Sequence, residues 1–164
     1  MSLTTSSFKM ISYVKHPVSI AYSPPYWFRG PSFPELAPNQ YLQTDWKTGR
    51  ISFNEYRLRY FKGTLNLIDP WWFVNKIIKL CECDLNEITL LNYDAPGLIS
   101  NRQFVGQWLK DTCGIDCKEL TVNYGFDINY FYGPSSEQIL KTFGEYNFNN
   151  LNEKIKERAS ILSF

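Results

Sequence analysis

The stretch ITLLNYDAPGLISNRQFVGQWL, residues 88–109, decides the fold because it indicates a strand, a loop and a helix in turn. Its first residues, ITLL, form a β-favouring apolar run, and the Ala-Pro-Gly sequence at 95–97 cannot continue a strand. Ser100, followed three residues later by Gln103, has the form of a capping box. The apolar residues after it recur at helical spacing, namely Phe104, Val105, Trp108 and Leu109. The pattern predicts a helix that begins at Ser100.

This strand, loop and helix unit predicts a ligand site. The N-terminus of a helix carries unsatisfied N–H groups and a partial positive charge, so it attracts anions. In an open α/β sheet, ligands bind beyond the carboxyl ends of the strands. The polar residues that we expect in this crevice are Asn92, Asp94, Ser100, Asn101 and Arg102. Arg102 would donate two parallel hydrogen bonds to a phosphate or carboxylate. The amides of Asn92 and Asn101 and the hydroxyl of Ser100 would hydrogen-bond the polar edges of the ligand. Alternatively, these residues only complete the surface loop that precedes a capped helix.

A second segment, SPPYWFRGPSFPELAP at residues 23–38, is rich in proline and aromatic rings. This composition is typical of an ordered loop. In one interpretation the loop forms a wall of the pocket: polar side chains, the polar arms, bind the ligand, and aromatic rings, the platforms, stack against it. The polar arms are then Ser23 and Arg29, and the platforms are Tyr26 and Trp27. The other interpretation is an irregular segment whose aromatic rings pin it to the core.

The other elements agree with an α/β fold. We predict an edge strand at 8–13, a central strand at 18–22 and a strand at 116–122 that follows Gly114. Helices are expected within 35–47, after the capping box of Ser52 and Glu55, and after the Asp69-Pro70 start signal. The fold class predicted is a small, mainly parallel sheet flanked by helices, a Rossmann-like three-layer arrangement, in a single domain at residues 1–123.

The C-terminal tail differs from the rest of the chain in its sequence pattern. Residues 124–133, YGFDINYFYG, are predicted as an aromatic linker, followed by a capped helix that opens between Pro134 and Glu137 and an amphipathic helix around 151–162. We expect residues 124–164 to be a C-terminal helical extension that packs on the domain or mediates a homodimer.

Charge and hydropathy exclude several classes of protein. Lys and Arg total 17 and Asp and Glu total 16, so no net field recruits nucleic acid. No apolar run reaches the ~20 residues of a membrane span, and the first ten residues lack the apolar block of a secretory signal. We therefore expect a cytoplasmic protein without a membrane partner.

The cysteines and the histidine do not match common catalytic or metal motifs. Cys81 and Cys83 form C-x-C, and Cys113 and Cys117 form C-x-x-x-C, neither of which is a usual zinc knuckle. His16 is the only histidine and precedes a proline. From spacing alone we predict reduced thiols, no metal site and no cofactor.

Three blocks of the chain resemble the domain of unknown function 488 family. They are SPPYWFRGPSFPELAP, the segment around FNEYRLRYFKGTLNLIDP, and LLNYDAPGLISNRQFVGQWL, which occur in the family's order within residues 18–122. Family members have a strand ending in Leu-Leu-Cys-Tyr-Glu and a helix opening with Cys-His-Arg. Here Asn92 replaces the first cysteine, and Ser100 and Asn101 replace the Cys-His pair. Asp94 and Arg102 match the acid and the arginine of the family motif. The resemblance implies a ligand related to nucleic acids or nucleotides, without thiol or histidine chemistry.

Three functions compete at this point. The first is a catalytically degenerate binding protein for a nucleotide, nucleic-acid end or other phosphate-bearing ligand, held between residues 23–30 and 92–102. The second is a carboxylate-dependent hydrolase of nucleic acid or nucleotides with Asp94 as general base, helped by Glu35 or another acid. The third is a protein-interaction effector of a phage or mobile element that acts through Trp71 and Trp72 or through the tail.

Overall fold

The computed structural model describes residues 1–95, 99–123 and 129–144. Its strands are β1 (Ser2–Ser7), β2 (His16–Ser19), β3 (Ile88–Asn92), β4 (Asp116–Asn123) and β5 (Asn129–Ser135). Its α-helices are α1 (Gln40–Lys47), α2 (Phe53–Gly63), α3 (Pro70–Cys81), α4 (Asn101–Cys113) and α5 (136–144). Short 3-10 turns at Phe8–Tyr13, Pro34–Leu36, Leu65–Leu67 and Leu85–Glu87 connect them.

The strands form one sheet in the order β2-β3-β1-β4-β5. The pairs β2 with β3, β3 with β1, and β1 with β4 are parallel, and β5 runs antiparallel to β4 at the edge. The prediction of an α/β fold with a small, mainly parallel sheet flanked by helices is therefore confirmed.

Connections of a single hand explain which face of the sheet each element covers. The steps from β2 to β3 and from β3 to β4 cross the sheet in one direction, and their helices pack on the face that carries Leu90. The step from β1 to β2 runs the other way, and its 3-10 turn at Phe8–Tyr13 contributes Phe8 to a cluster with Leu91 on the opposite face. This is the arrangement that right-handed crossovers impose. The exits of β1 and β3 therefore diverge.

The predicted helix caps are confirmed. Ser52 Oγ accepts a hydrogen bond from the Glu55 backbone N–H at 3.1 Å, and Asp69 Oδ1 accepts one from Trp71 N–H at 3.0 Å. The capping box of Ser100 and Gln103 opens α4, and Gly114 ends it with a φ of 67°. These groups satisfy backbone donors that a helix end leaves unpaired.

The predicted strand at 8–13 is wrong. The strand is Ser2–Ser7, one segment earlier, and 8–13 forms a 3-10 turn. The strand was missed because SLTTSS looks polar, yet its hydroxyls are satisfied inside the sheet. Thr5 Oγ1 donates to Glu119 Oε2 at 2.7 Å, and Ser6 Oγ donates to the Leu120 carbonyl at 2.8 Å. Buried hydroxyls with partners do not carry the cost of unpaired ones.

Two further boundaries differ from the predictions. The strand predicted at 18–22 starts earlier, as β2, and pairs with β3 alone among the described strands. The helix predicted within 35–47 divides into the 3-10 turn Pro34–Leu36 and α1, because Asn39 caps the second piece through the Tyr41 and Leu42 N–H groups.

The described part of the tail contains a strand. The predicted linker at 124–133 is wrong for its second half, because residues 129–135 form β5 on β4; residues 124–128 lie outside the described part. The predicted capped helix is present as α5, with Leu140 in the main core and the Phe143 ring 4.8 Å from that of Phe53. The predicted helix at 151–162 lies outside the described residues. Across the described ranges, no helix combines the length and apolarity needed to cross a bilayer.

Gly106 marks the close approach of α4 to α5. A Cβ built there would lie 2.1 Å from Ser136 Oγ and 3.0 Å from Cys117 Cβ. We predict that Gly106→Ala destabilises the fold, because overpacking costs about 1–3 kcal/mol and the gain in helix propensity, about 1 kcal/mol, offsets only part of it. The midpoint of urea unfolding measures this.

Gly63→Ala is the matched control, because a Cβ at this helical position meets nothing within 4 Å. Adding Ser136→Gly to Gly106→Ala should restore part of the midpoint. Equal midpoints for the Gly106 and Gly63 variants would contradict this packing.

Candidate functional site

A cleft of about 330 Å³ opens beyond the carboxyl ends of β2 and β3, where the crevice was predicted. Asn92 at the end of β3, Asp94 in the following loop and Asn101 at the start of α4 form its β3 side. The loop after β2 and helix α1 form the other side. That side is lined by Ala21, Tyr22, Ser23, Ala37, Pro38, Gln40, Gln43 and Lys47.

Beneath this cleft lies a buried ion pair between Arg102 of α4 and Glu119 of β4. Arg102 Nε donates to Glu119 Oε1 at 2.9 Å, and its NH2 group donates to the same oxygen at 2.6 Å. Both side chains are almost fully excluded from solvent, with exposures of 0% and 3%. Thr5 of β1 donates to the other carboxylate oxygen. The pair therefore joins α4 to two adjacent strands.

The remaining donors of Arg102 bind the exit of β3. NH1 donates to Asn92 Oδ1 at 2.6 Å and to the Asp94 carbonyl at 2.7 Å, and NH2 donates to the Ala95 carbonyl at 3.1 Å. All five N–H groups of the guanidinium are thus engaged within the protein. This corrects the predicted role of Arg102: it is a positioning residue in this structure and leaves no donor for a phosphate.

Asn92, Ser100 and Asn101 form a second layer of hydrogen bonds at the floor of the cleft. Asn92 Nδ2 donates to Ser100 Oγ and to Asn101 Oδ1, and Asn101 Nδ2 donates to the Ile20 carbonyl at 3.1 Å. Ser100 Oγ donates to Asp94 Oδ2 at 2.6 Å. Ser100 is buried, so its hydroxyl holds the Asp94 carboxylate in place but does not face solvent. Asn92, Asp94 and Asn101 are the groups of this network that line the cleft.

Two tyrosines of α2 support this floor. Burial raises the pKa of Tyr60 well above its usual value, and burial with the nearby Asp94 charge raises that of Tyr56. Both phenols are therefore neutral. Tyr60 donates its hydroxyl hydrogen to the Leu36 carbonyl, and its hydroxyl also interacts with Asn101. The floor is fixed from the strands and from the helix layer together.

Most of the proline-rich loop does not reach the cleft. Tyr26 is 92% exposed, and Arg29 NH1 donates to the Tyr26 carbonyl at 2.9 Å. Trp27 packs edge-on against Phe8, with ring centroids 6.3 Å apart. Of the four residues predicted in this loop, Ser23 alone lines the cleft, and its carbonyl accepts a hydrogen bond from Tyr93 Oη. The prediction of Tyr26, Trp27 and Arg29 as pocket walls is corrected to a loop pinned by aromatic contacts.

Sequence reasoning missed several residues that matter here. Glu119 could have been noticed as an acid within an apolar strand pattern. Its partner, Arg102, lies 17 positions away on another element. Lys47, Gln40 and Gln43 line the cleft from α1, and the polar face of that short helix was the available signal. Glu35, the acid considered as a partner for Asp94, is exposed and lines a neighbouring cleft without Asp94.

Comparison of the chain with protein-family models, with curated proteins and with solved structures gives no significant match.

The buried ion pair yields a test of its role. We predict that Arg102→Met destabilises the fold by about 3–5 kcal/mol, because it leaves the Glu119 carboxylate buried without its countercharge. Adding Glu119→Leu should cost less than the sum of the two single changes, with a coupling of about 1–3 kcal/mol. Urea unfolding of the four proteins measures the cycle.

Lys110 and Asp116 provide the control cycle, because they form an ion pair of the same 2.6 Å length with side chains 41% and 55% exposed. Solvent screening should make their coupling far smaller. Equal coupling in the two cycles would show that burial does not govern the Arg102–Glu119 interaction.

Proposed function

We propose that the chain is a binding protein that holds a nucleotide or another phosphate-bearing ligand in the strand-end cleft. The observation that carries this proposal is the fixed geometry of Asn92, Asp94 and Asn101, which line the cleft and are held from behind by the buried Arg102–Glu119 pair. Polar groups locked in place before a ligand arrives lose little freedom on binding.

The position of this network supports a role in binding. A well-packed apolar cluster of similar volume often stabilises a fold as well as a buried ion pair does, because two charges must be desolvated. Here the ion pair, two amides and a hydroxyl occupy the carboxyl edge of parallel strands, where α/β proteins bind ligands. Residues that do not give the most stable packing are expected at functional positions.

The chemistry of the rim suits a ligand with separate anionic and polar parts. Lys47 of α1 is exposed at the rim and offers an ammonium group to a phosphate. Asp94 offers a carboxylate oxygen to a sugar hydroxyl or an amine, and the side-chain amides of Gln40 and Gln43 on α1 suit the edge of a base. A volume of about 330 Å³ is at the small end of ligand pockets, which favours a mononucleotide or a single terminal nucleotide.

The resemblance to the domain of unknown function 488 family supports the same ligand class. The positions that depart from the family pattern, Asn92, Ser100 and Asn101, belong to the network behind the cleft. Amides and hydroxyls do not titrate near neutral pH, and the Ser100 hydroxyl is buried and donates to Asp94, so this network favours recognition. We therefore favour binding over catalysis, because Asp94 has no second acid beside it among the described residues that line this cleft.

Protein interaction is a second candidate, on a separate observation. Trp71 and Trp72 lie in the first turn of α3, and each is nearly half exposed. Tryptophan is enriched in the centres of protein interfaces. This surface would serve if no ligand binds the cleft.

The test is isothermal titration of nucleoside monophosphates, a sugar phosphate, inorganic phosphate and a short single-stranded oligonucleotide into the full chain. We predict that one phosphate-bearing class binds and that Lys47→Gln weakens it about 10–100-fold, the effect of losing one charge-assisted hydrogen bond. Asp94→Asn should weaken nucleotides more than it weakens inorganic phosphate.

Lys62→Gln is the matched control, because Lys62 is exposed on α2 and lines none of the described clefts near Asp94. A ligand that binds the Lys47 and Lys62 variants equally well binds elsewhere. An absence of binding by every probe would overturn the proposal and direct attention to Trp71 and Trp72.

A further inference from the structure

A cluster of metal-ligating side chains lies at the amino ends of β2 and β3, and the cleft lies at the carboxyl ends of the same strands. It consists of His16, Cys83 and Glu87, whose ligand atoms all lie within 4.8 Å of one another. All three residues are half-buried, so an ion could reach them from solvent. Neither the cleft nor the Arg102 network uses any of them.

The sheet register brings these residues together from distant parts of the sequence. His16 begins β2 and pairs with Ile88, the first residue of β3. Glu87 immediately precedes Ile88, at the end of a 3-10 turn. Helix α3 ends at Cys81, and Glu82 takes a left-handed conformation with a φ of 51°, after which Cys83 follows. The cluster therefore spans 71 positions in sequence, from His16 to Glu87, but lies at one end of two paired strands.

Cys81 lies outside this group of three but is the candidate for a fourth donor. Its thiol interacts with that of Cys83, and both cysteines are free and half-buried. The neighbourhood thus offers one imidazole nitrogen, two sulfurs and one carboxylate oxygen. In a tetrahedral zinc site the ligands lie about 2.0–2.3 Å from the ion, which places the donors roughly 3.5 Å apart. Donors already within 4.8 Å of one another need side-chain movements on the order of 1 Å to reach this geometry.

The donor types select the class of metal. Thiolates and imidazole favour zinc and similar ions, whereas magnesium and calcium require oxygen ligands in larger number. We propose that His16, Cys83 and Glu87, completed by Cys81, form a structural binding site for a thiophilic divalent cation of the zinc class. The bound ion clasps the first residue of β2, a four-residue strand, to the connection between α3 and β3.

Lys15 is the group that competes with the cation. Its Nζ lies 2.6 Å from Glu87 Oε1, and its side chain is 70% exposed. The ammonium can therefore leave for solvent when an ion takes the carboxylate oxygen. This predicts that removal of Lys15 strengthens metal binding, a result that a chance thiol adduct would not give.

The experiment is titration of zinc into the full chain under reducing conditions, followed by calorimetry and by the unfolding temperature. We expect one ion per chain, a rise in unfolding temperature with zinc and none with magnesium. His16→Gln and Cys83→Ser should each lower the zinc affinity more than about tenfold, and Lys15→Ala should raise it. Cobalt should give a thiolate charge-transfer band that Cys83→Ser weakens and that Cys81→Ser combined with Cys83→Ser abolishes.

Glu87→Gln and Asp116→Asn form a matched pair, because each carboxylate accepts a hydrogen bond from a lysine at 2.6 Å but Asp116 lies outside the cluster. Zinc affinity should fall in the first variant alone. An absence of zinc binding, or binding that the His16, Cys83 and Glu87 variants leave unchanged, would overturn the proposal. Either result is independent of the nucleotide titrations, because the two sites share no residue.

Discussion

The interaction on which the carboxyl edge of the sheet depends is the buried contact between Arg102 and Glu119. Desolvating the two charges is costly, and the cost is met only because every donor of the guanidinium finds an acceptor. Those acceptors belong to β4 and to the exit of β3, while Thr5 of β1 binds the same carboxylate. One side chain of α4 thus fixes three adjacent strands at the edge where the cleft opens.

The order of the strands explains why the cleft lies where it does, because β2 and β3 are neighbours and the segments that follow them line the cleft. The segment after β1 leaves toward one face, where Phe8 packs with Leu91, and the segment after β3 leaves toward the other, into α4. The cleft lies beside this divergence, between the segments that follow β2 and β3. Tyr93, whose ring centroid is 4.9 Å from that of Phe8, borders one side of this crevice, and α1 borders the other. The cleft is therefore a consequence of strand order more than of any local motif.

Local signals could be predicted from the sequence and long-range partners could not. The caps at Ser52, Asp69 and Ser100 depend on residues two or three positions away, so the pattern contains the whole interaction. The pairing of Arg102 with Glu119 depends on β4 lying beside β1. The residues next to Arg102 in sequence contain no information about that strand order. β1 itself was missed because its hydroxyls look polar until Glu119 and Leu120 are placed beside them. The C-x-C pair likewise gave no indication that His16 and Glu87 lie beside Cys83, because only the sheet register brings them together.

The fold separates the reactive donors of this chain from its cleft. The residues of the network at the cleft carry amide, hydroxyl, carboxylate and guanidinium groups, and no histidine or cysteine lines the described rim. The single histidine instead stands at the amino end of β2 near Cys81 and Cys83, while Cys113 and Cys117 are buried in the main core. The thiols and the imidazole of the described residues are thus distant from the place where a ligand would sit. An edge rich in fixed hydrogen-bonding groups and poor in reactive ones discriminates ligands by shape and charge, which is the physical basis for favouring recognition at this cleft.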